Sequence, residues 1–105
     1  MTLPRDKLVE KLEQSNGSAA ALALLKSLAN IDRLTILCSL IEGEKSVGEL
    51  ELKLSIRQPS LSQQLGRLRT DGLVNTRRDS KVIFYSIASS DAEEVIEVLY
   101  KLYCK

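Results

Sequence analysis

The stretch SVGELELKLSIRQPSLSQQLGRLRTDG, residues 46–72, decides the fold. Ser46 and Glu49 stand at capping-box spacing, so a short helix is expected from there to about Leu54. After Ser55-Ile56-Arg57, the Gln58-Pro59 pair opens another helix, because the N–H that proline lacks has no partner in a first helical turn. That second helix is expected from about Pro59 to Thr70, closed near Gly72. At about 100° per residue, Leu61, Leu65 and Leu68 share its inner face, while Gln63, Arg67 and Thr70 lie opposite, flanked by Ser60 and Ser62. Two short helices joined by a tight turn form a helix-turn-helix, whose second helix offers its early residues to base edges in the major groove of DNA.

The flanking sequence extends this unit in both directions. Downstream, Val74 to Arg78 and Val82 to Ile87 are rich in β-branched and aromatic residues and are joined by Asp79-Ser80, which predicts a hairpin with Arg78 and Lys81 at its tip. Ser90 and Glu93 form a second capping-box pattern, opening a last helix over about 91–104. Upstream, Leu8, Val9 and Leu12 mark a first amphipathic helix over roughly 4–15, ended by Asn16-Gly17-Ser18. Ser18 is expected to cap a second helix, Ala19 to Ala29, and Asn30 a third, from Ile31 to about Glu42, which Gly43 stops. The resulting class is a mainly α fold with a β-hairpin wing: five helices, the hairpin and a C-terminal helix.

Composition narrows function. The 105 residues suit a single domain, 1–105, with 44% hydrophobic residues available for a core. Net charge is only +1, yet residues 53–81 hold seven basic side chains against Asp71 and Asp79. A local excess of this kind suits a polyanion, because phosphate contacts are local. The chain has no His, which removes the commonest general base and metal ligand. Its two cysteines, Cys38 and Cys104, form no CxxC, and no apolar run approaches the ~20 residues that cross a bilayer. A cytoplasmic protein with reduced thiols, no cofactor and no membrane partner is expected. The DNA-facing candidates are Gln58, Ser60, Ser62, Gln63 and Arg67 on the recognition helix and Arg77, Arg78 and Lys81 on the wing.

Four segments together resemble the ArsR-type family of winged-helix repressors: Leu28-Ala29-Asn30-Ile31-Asp32-Arg33-Leu34-Thr35-Ile36-Leu37, Ser46-Val47-Gly48-Glu49-Leu50, Gln58-Pro59-Ser60-Leu61-Ser62-Gln63-Gln64-Leu65, and Leu68-Arg69-Thr70-Asp71-Gly72-Leu73-Val74. Asn30-Ile31 stand where the family usually has His-Pro, and Arg57 where Ser often precedes Gln-Pro. The resemblance implies a homodimer, with the first and last helices at its interface, that binds a near-palindromic operator and releases it on meeting an inducer. Val95, Ile96, Leu99, Leu102 and Tyr103 give the last helix apolar surface suited to such an interface.

Metal-sensing members carry cysteine pairs on the third helix, or carboxylate and His ligands on the last. Here the third helix has Cys38 alone, and Asp91, Glu93, Glu94 and Glu97 have no His beside them, so no metal site is expected. One thiol on the third helix and one at the end of the last, with Phe84-Tyr85 and Leu102-Tyr103-Cys104, resemble the persulfide-responsive subgroup of biofilm growth-associated and sulfide-oxidation repressors. That resemblance implies that Cys38 and Cys104 meet reactive sulfur species as inducer and close a disulfide or polysulfide link. Three readings compete with it: a thiolate-bound metalloid, metal or haem inducer, a small sulfurtransferase with Cys38 as nucleophile, and two cysteines with no role beyond packing.

Overall fold

The structure is a computed structural model that describes Leu3 and residues 5–104. Its elements run α1 (Leu8–Gln14), α2 (Gly17–Leu28), α3 (Ile31–Ile41), β1 (Lys45–Ser46), α4 (Val47–Lys53), α5 (Ser60–Thr70), β2 (Val74–Asp79), β3 (Val82–Ile87) and α6 (Ser90–Tyr103). The expected class, a winged helix-turn-helix, is the one observed. The core lies between α3 and α5: Ile36, Leu37, Leu61, Leu65 and Leu68 are shut off from solvent, and Leu50 of α4 closes one side.

Local signals account for several helix ends. Asn30 accepts a hydrogen bond from the Arg33 N–H at 3.0 Å, and Ser46 and Glu49 form the complete capping box. Gly72, at φ +76°, ends α5 in a Schellman motif: its N–H donates to the Arg69 carbonyl and the Leu73 N–H donates to that of Leu68. A side chain at that φ would be strained, so the exit from recognition helix to wing depends on this glycine.

Five expectations are corrected. The helix expected from residue 4 begins at Leu8, after Lys7, which supplies no capping side chain; Pro4 lies outside the described residues. α2 starts at Gly17, ahead of its predicted Ser18 cap, with left-handed Asn16 at the N-cap. Ser89, not Ser90, caps α6, accepting from the Ala92 N–H at 3.0 Å and leaving Glu93 one position too late for a capping box. The hairpin turn is Ser80-Lys81, because Asp79 still pairs with Val82. Finally, β1 adds a third strand in the order β1-β3-β2, with Lys45 opposite Tyr85 and Ser46 opposite Phe84. Two residues are too few to show strand alternation in a sequence, yet they join the wing to the residue that caps α4.

The outer helices are less enclosed. α1 buries no residue, and Leu8, Val9 and Leu12 are exposed, as are Val98, Leu102 and Tyr103 of α6. The radius of gyration is 15.7 Å. A compact domain of this length has about 13 Å. Replacing Leu61 by Ala should cost about 2–5 kcal/mol in urea unfolding, because it empties the α3–α5 seam. Leu52→Ala, at a leucine 92% exposed on α4, should change stability by less than about 0.5 kcal/mol in the same assay.

Candidate nucleic-acid interface and thiol groove

The start of α5 is tied down by its own polar residues. The Gln58 carbonyl oxygen accepts from the Ser62 N–H at 3.1 Å and the Ser62 hydroxyl at 2.6 Å, while its amide nitrogen donates to Glu51 on α4 at 2.9 Å. Gln58 thus satisfies a free N–H of the first turn and joins the two helices of the motif. The Ser60 hydroxyl turns inward and donates to Asp32 on α3 at 3.3 Å. Gln63 makes none of these bonds and is exposed, with its amide free to meet a base edge. Arg67 is exposed one turn further on, its Nε donating to Asp71 at 2.8 Å. Asp71 also accepts from the Ser27 hydroxyl at 2.6 Å, and these bonds, Ser27 first, hold its carboxyl below the usual range.

On the wing the three cations differ. Arg77 makes a two-point ion pair with Glu44, at 2.7 and 3.1 Å, and its guanidinium lies 4.5 Å from the centre of the Phe84 ring. Arg78 donates to the Ser80 carbonyl at 3.1 Å, and Lys81 is exposed at the turn. By sequence the three share one role and Glu44 goes unnoticed, since nothing in a sequence announces a partner 33 residues away. Lys81 and Arg78 therefore sit at the reach of the wing, and Arg77 nearer its root.

Cys38 and Cys104 come together. Both line one groove of about 640 Å³ between α3 and α6, walled by Leu34, Ile41, Ile96 and Leu99. Cys38 projects from α3, and Cys104 is the residue that closes α6. Cys38 and Cys104 are both exposed, yet partial loss of water around the Cys38 sulfur raises its pKa, and Cys104 and Glu42 raise it further. Among the described residues, no three His, Cys, Asp or Glu side chains converge to hold a metal ion. No helix described is long and apolar enough to cross a membrane.

A helix-turn-helix with a three-stranded wing is the architecture of a DNA-binding transcriptional regulator. The family model described as "Bacterial regulatory protein, arsR family" matches residues 31–76. The chain is 48% identical to "Transcriptional activator HlyU" of Vibrio cholerae over 93 residues, covering 89% of this chain and 86% of that protein. It is 58% identical to "Biofilm growth-associated repressor" of Agrobacterium fabrum over 81 residues, covering 77% and 69%. The crystal structure of the transcriptional repressor BigR from Xylella fastidiosa superposes with a TM-score of 0.84 at 43% identity, covering 90% of this chain and 97% of that one. The chain belongs to the ArsR family.

The raised pKa of Cys38 has a measurable sign. Its thiolate fraction at neutral pH is smaller than that of a free thiol, so its alkylation by iodoacetamide should reach half its limiting rate at a higher pH than that of a cysteine-containing peptide. Cys104→Ser should move that midpoint downward by removing one of the charges that oppose ionisation. Peptide-resolved mass spectrometry at a series of pH values reads both effects, and an unmoved midpoint would show that the two thiols do not feel each other.

Proposed function

We propose that this protein is a cytoplasmic, homodimeric repressor, one domain over residues 1–105, that holds operator DNA while its thiols are reduced and releases it when Cys38 and Cys104 are linked by sulfur. The observation that carries the switch is the shared groove: two cysteines 66 positions apart open onto one apolar cleft between α3 and α6. Repression rather than activation is favoured by the 58% identical relative, which bears the name of a repressor. The exposed leucines and valines of α1 and α6 favour a second copy of the chain, since water is a poor neighbour for a stripe of this size.

The chemistry needs two thiols and a low-molecular-weight persulfide. One cysteine thiolate attacks the outer sulfur of the persulfide, expels its parent thiolate and becomes a protein persulfide. The other thiolate then attacks the cysteine-bound sulfur of that group and expels hydrosulfide, closing a disulfide. If a second persulfide first lengthens the protein persulfide by one sulfur, attack of the other thiolate on the middle sulfur expels hydrosulfide and gives a trisulfide, with two parent thiols and one hydrogen sulfide released in all. Each inserted sulfur adds a bond of about 2 Å, so the separation of the thiols selects the product. Hydrogen peroxide offers no bridging sulfur, so it drives only direct closure or overoxidation.

Gln63, read as a bidentate partner of adenine, and Lys81, read as a phosphate contact, separate two modes of binding. In fluorescence anisotropy, Gln63→Ala should lose about 1–3 kcal/mol on the operator and little on unrelated DNA. Lys81→Ala should weaken both and lower the slope of log affinity against log salt by roughly 1, the share of a single neutralised phosphate. Cys38→Ser and Cys104→Ser should each bind operator like the reduced wild type and keep it after glutathione persulfide, whereas wild type loses about 5- to 150-fold in affinity. Release by either variant would rule out the two-thiol switch and leave the DNA-binding role intact.

A further inference from the structure

Arg33 on α3 is only 9% exposed, and none of its three hydrogen-bond acceptors is a carboxylate. Its Nε donates to the Ser27 carbonyl at 2.7 Å and its Nη2 to the Lys26 carbonyl at 3.0 Å. Those carbonyls close α2, where the helix dipole is negative and tolerates a cation. Its Nη1 donates at 2.9 Å to the side-chain oxygen of Gln64, a half-buried residue of the recognition helix. A buried guanidinium is too costly to leave unsatisfied, so each of these bonds is held firmly.

Ser60 and Gln64 are one helical turn apart and lie on the same side of α5, where they bond to the adjacent α3 residues Asp32 and Arg33. The leucine seam beneath them is non-directional and tolerates a small roll of the helix; hydrogen bonds do not. With a helix about 10–12 Å across, a roll of about 10° carries a side-chain tip roughly 1 Å, enough to spoil a bidentate base contact. Gln63, the neighbour of Gln64, is the residue such a roll would misplace.

We propose that Gln64 is a positioning residue: held by the buried Arg33, it fixes the roll of the recognition helix so that Gln63 meets the base edges, and it reads no base itself. The inference rests on the DNA-binding role of the fold and is independent of the cysteine switch.

The test is a ratio of affinities, operator over unrelated duplex, with the operator taken from in vitro selection with the wild-type protein and both read by anisotropy. Gln64→Met keeps the length but removes the acceptor, and should lower the ratio about tenfold while unrelated DNA binds within about twofold of wild type. Gln64→Glu restores an acceptor for Arg33 and should return the ratio to within about twofold of wild type; the ratio cancels the uniform effect of its added charge. A residue that read a base through its amide would lose as much with Glu as with Met, and that outcome overturns the proposal. So does an unchanged ratio in Gln64→Met. If circular dichroism shows Gln64→Met unfolded, Gln64→Ala, which also removes the acceptor for Arg33, takes its place with the same expected loss and the same overturning outcome.

Discussion

The dry seam between α3 and α5 is the constraint on which the rest of the structure depends. Ile36 and Leu37 of one helix and Leu61, Leu65 and Leu68 of the other exclude water completely or nearly so, which fixes the distance and crossing of the two axes. The polar residues proposed to serve DNA binding are arranged around that contact. Gln58 caps α5 from outside, Ser60 and Gln64 bond to α3 along its side, and Asp71 finishes it beside Arg67. Gln63 is left exposed because the residues around it are engaged elsewhere.

The same α3 also carries Cys38, five residues beyond Arg33 and on the side facing α6. One rigid helix therefore touches the recognition helix near its beginning and the thiol groove nearer its end. A sulfur link from Cys38 to Cys104 would join α3 to the terminus of α6, an element whose apolar residues remain largely uncovered in a single chain. In our proposal those residues pack in the dimer, so the link changes how two recognition helices are spaced, and spacing is what a two-fold operator measures. The wing follows α3 by another route, through Glu44, its ion pair with Arg77, and the short strand β1.

Much of this was legible in the sequence because it was local. The capping box at Ser46, the proline before α5, the leucines at helical spacing and the glycine at its end each act over four or five residues. What escaped was small or distant. β1 has too few residues to show a period, and Ser89 was passed over for its neighbour because both are serines and only geometry separates them. Helical phase separates Gln63 from Gln64, but it does not reveal that Gln64 bonds to an arginine 31 positions earlier. The burial of Arg33 leaves no mark in the sequence around it. The convergence of Cys38 and Cys104 was implied by a family resemblance, and the groove between α3 and α6 gives it a physical basis.

In the proposed switch, joining the two thiols within a chain lowers affinity for operator DNA. Treating the reduced protein with glutathione persulfide, dividing the sample, and measuring intact mass on one half and operator affinity on the other puts this to the test. The population carrying an intramolecular Cys38–Cys104 link, with a mass about 2 Da below that of the dithiol, or about 30 Da above it when one sulfur is inserted, is expected to be the population whose affinity has fallen. Fully linked protein that binds operator as tightly as the reduced protein would contradict it.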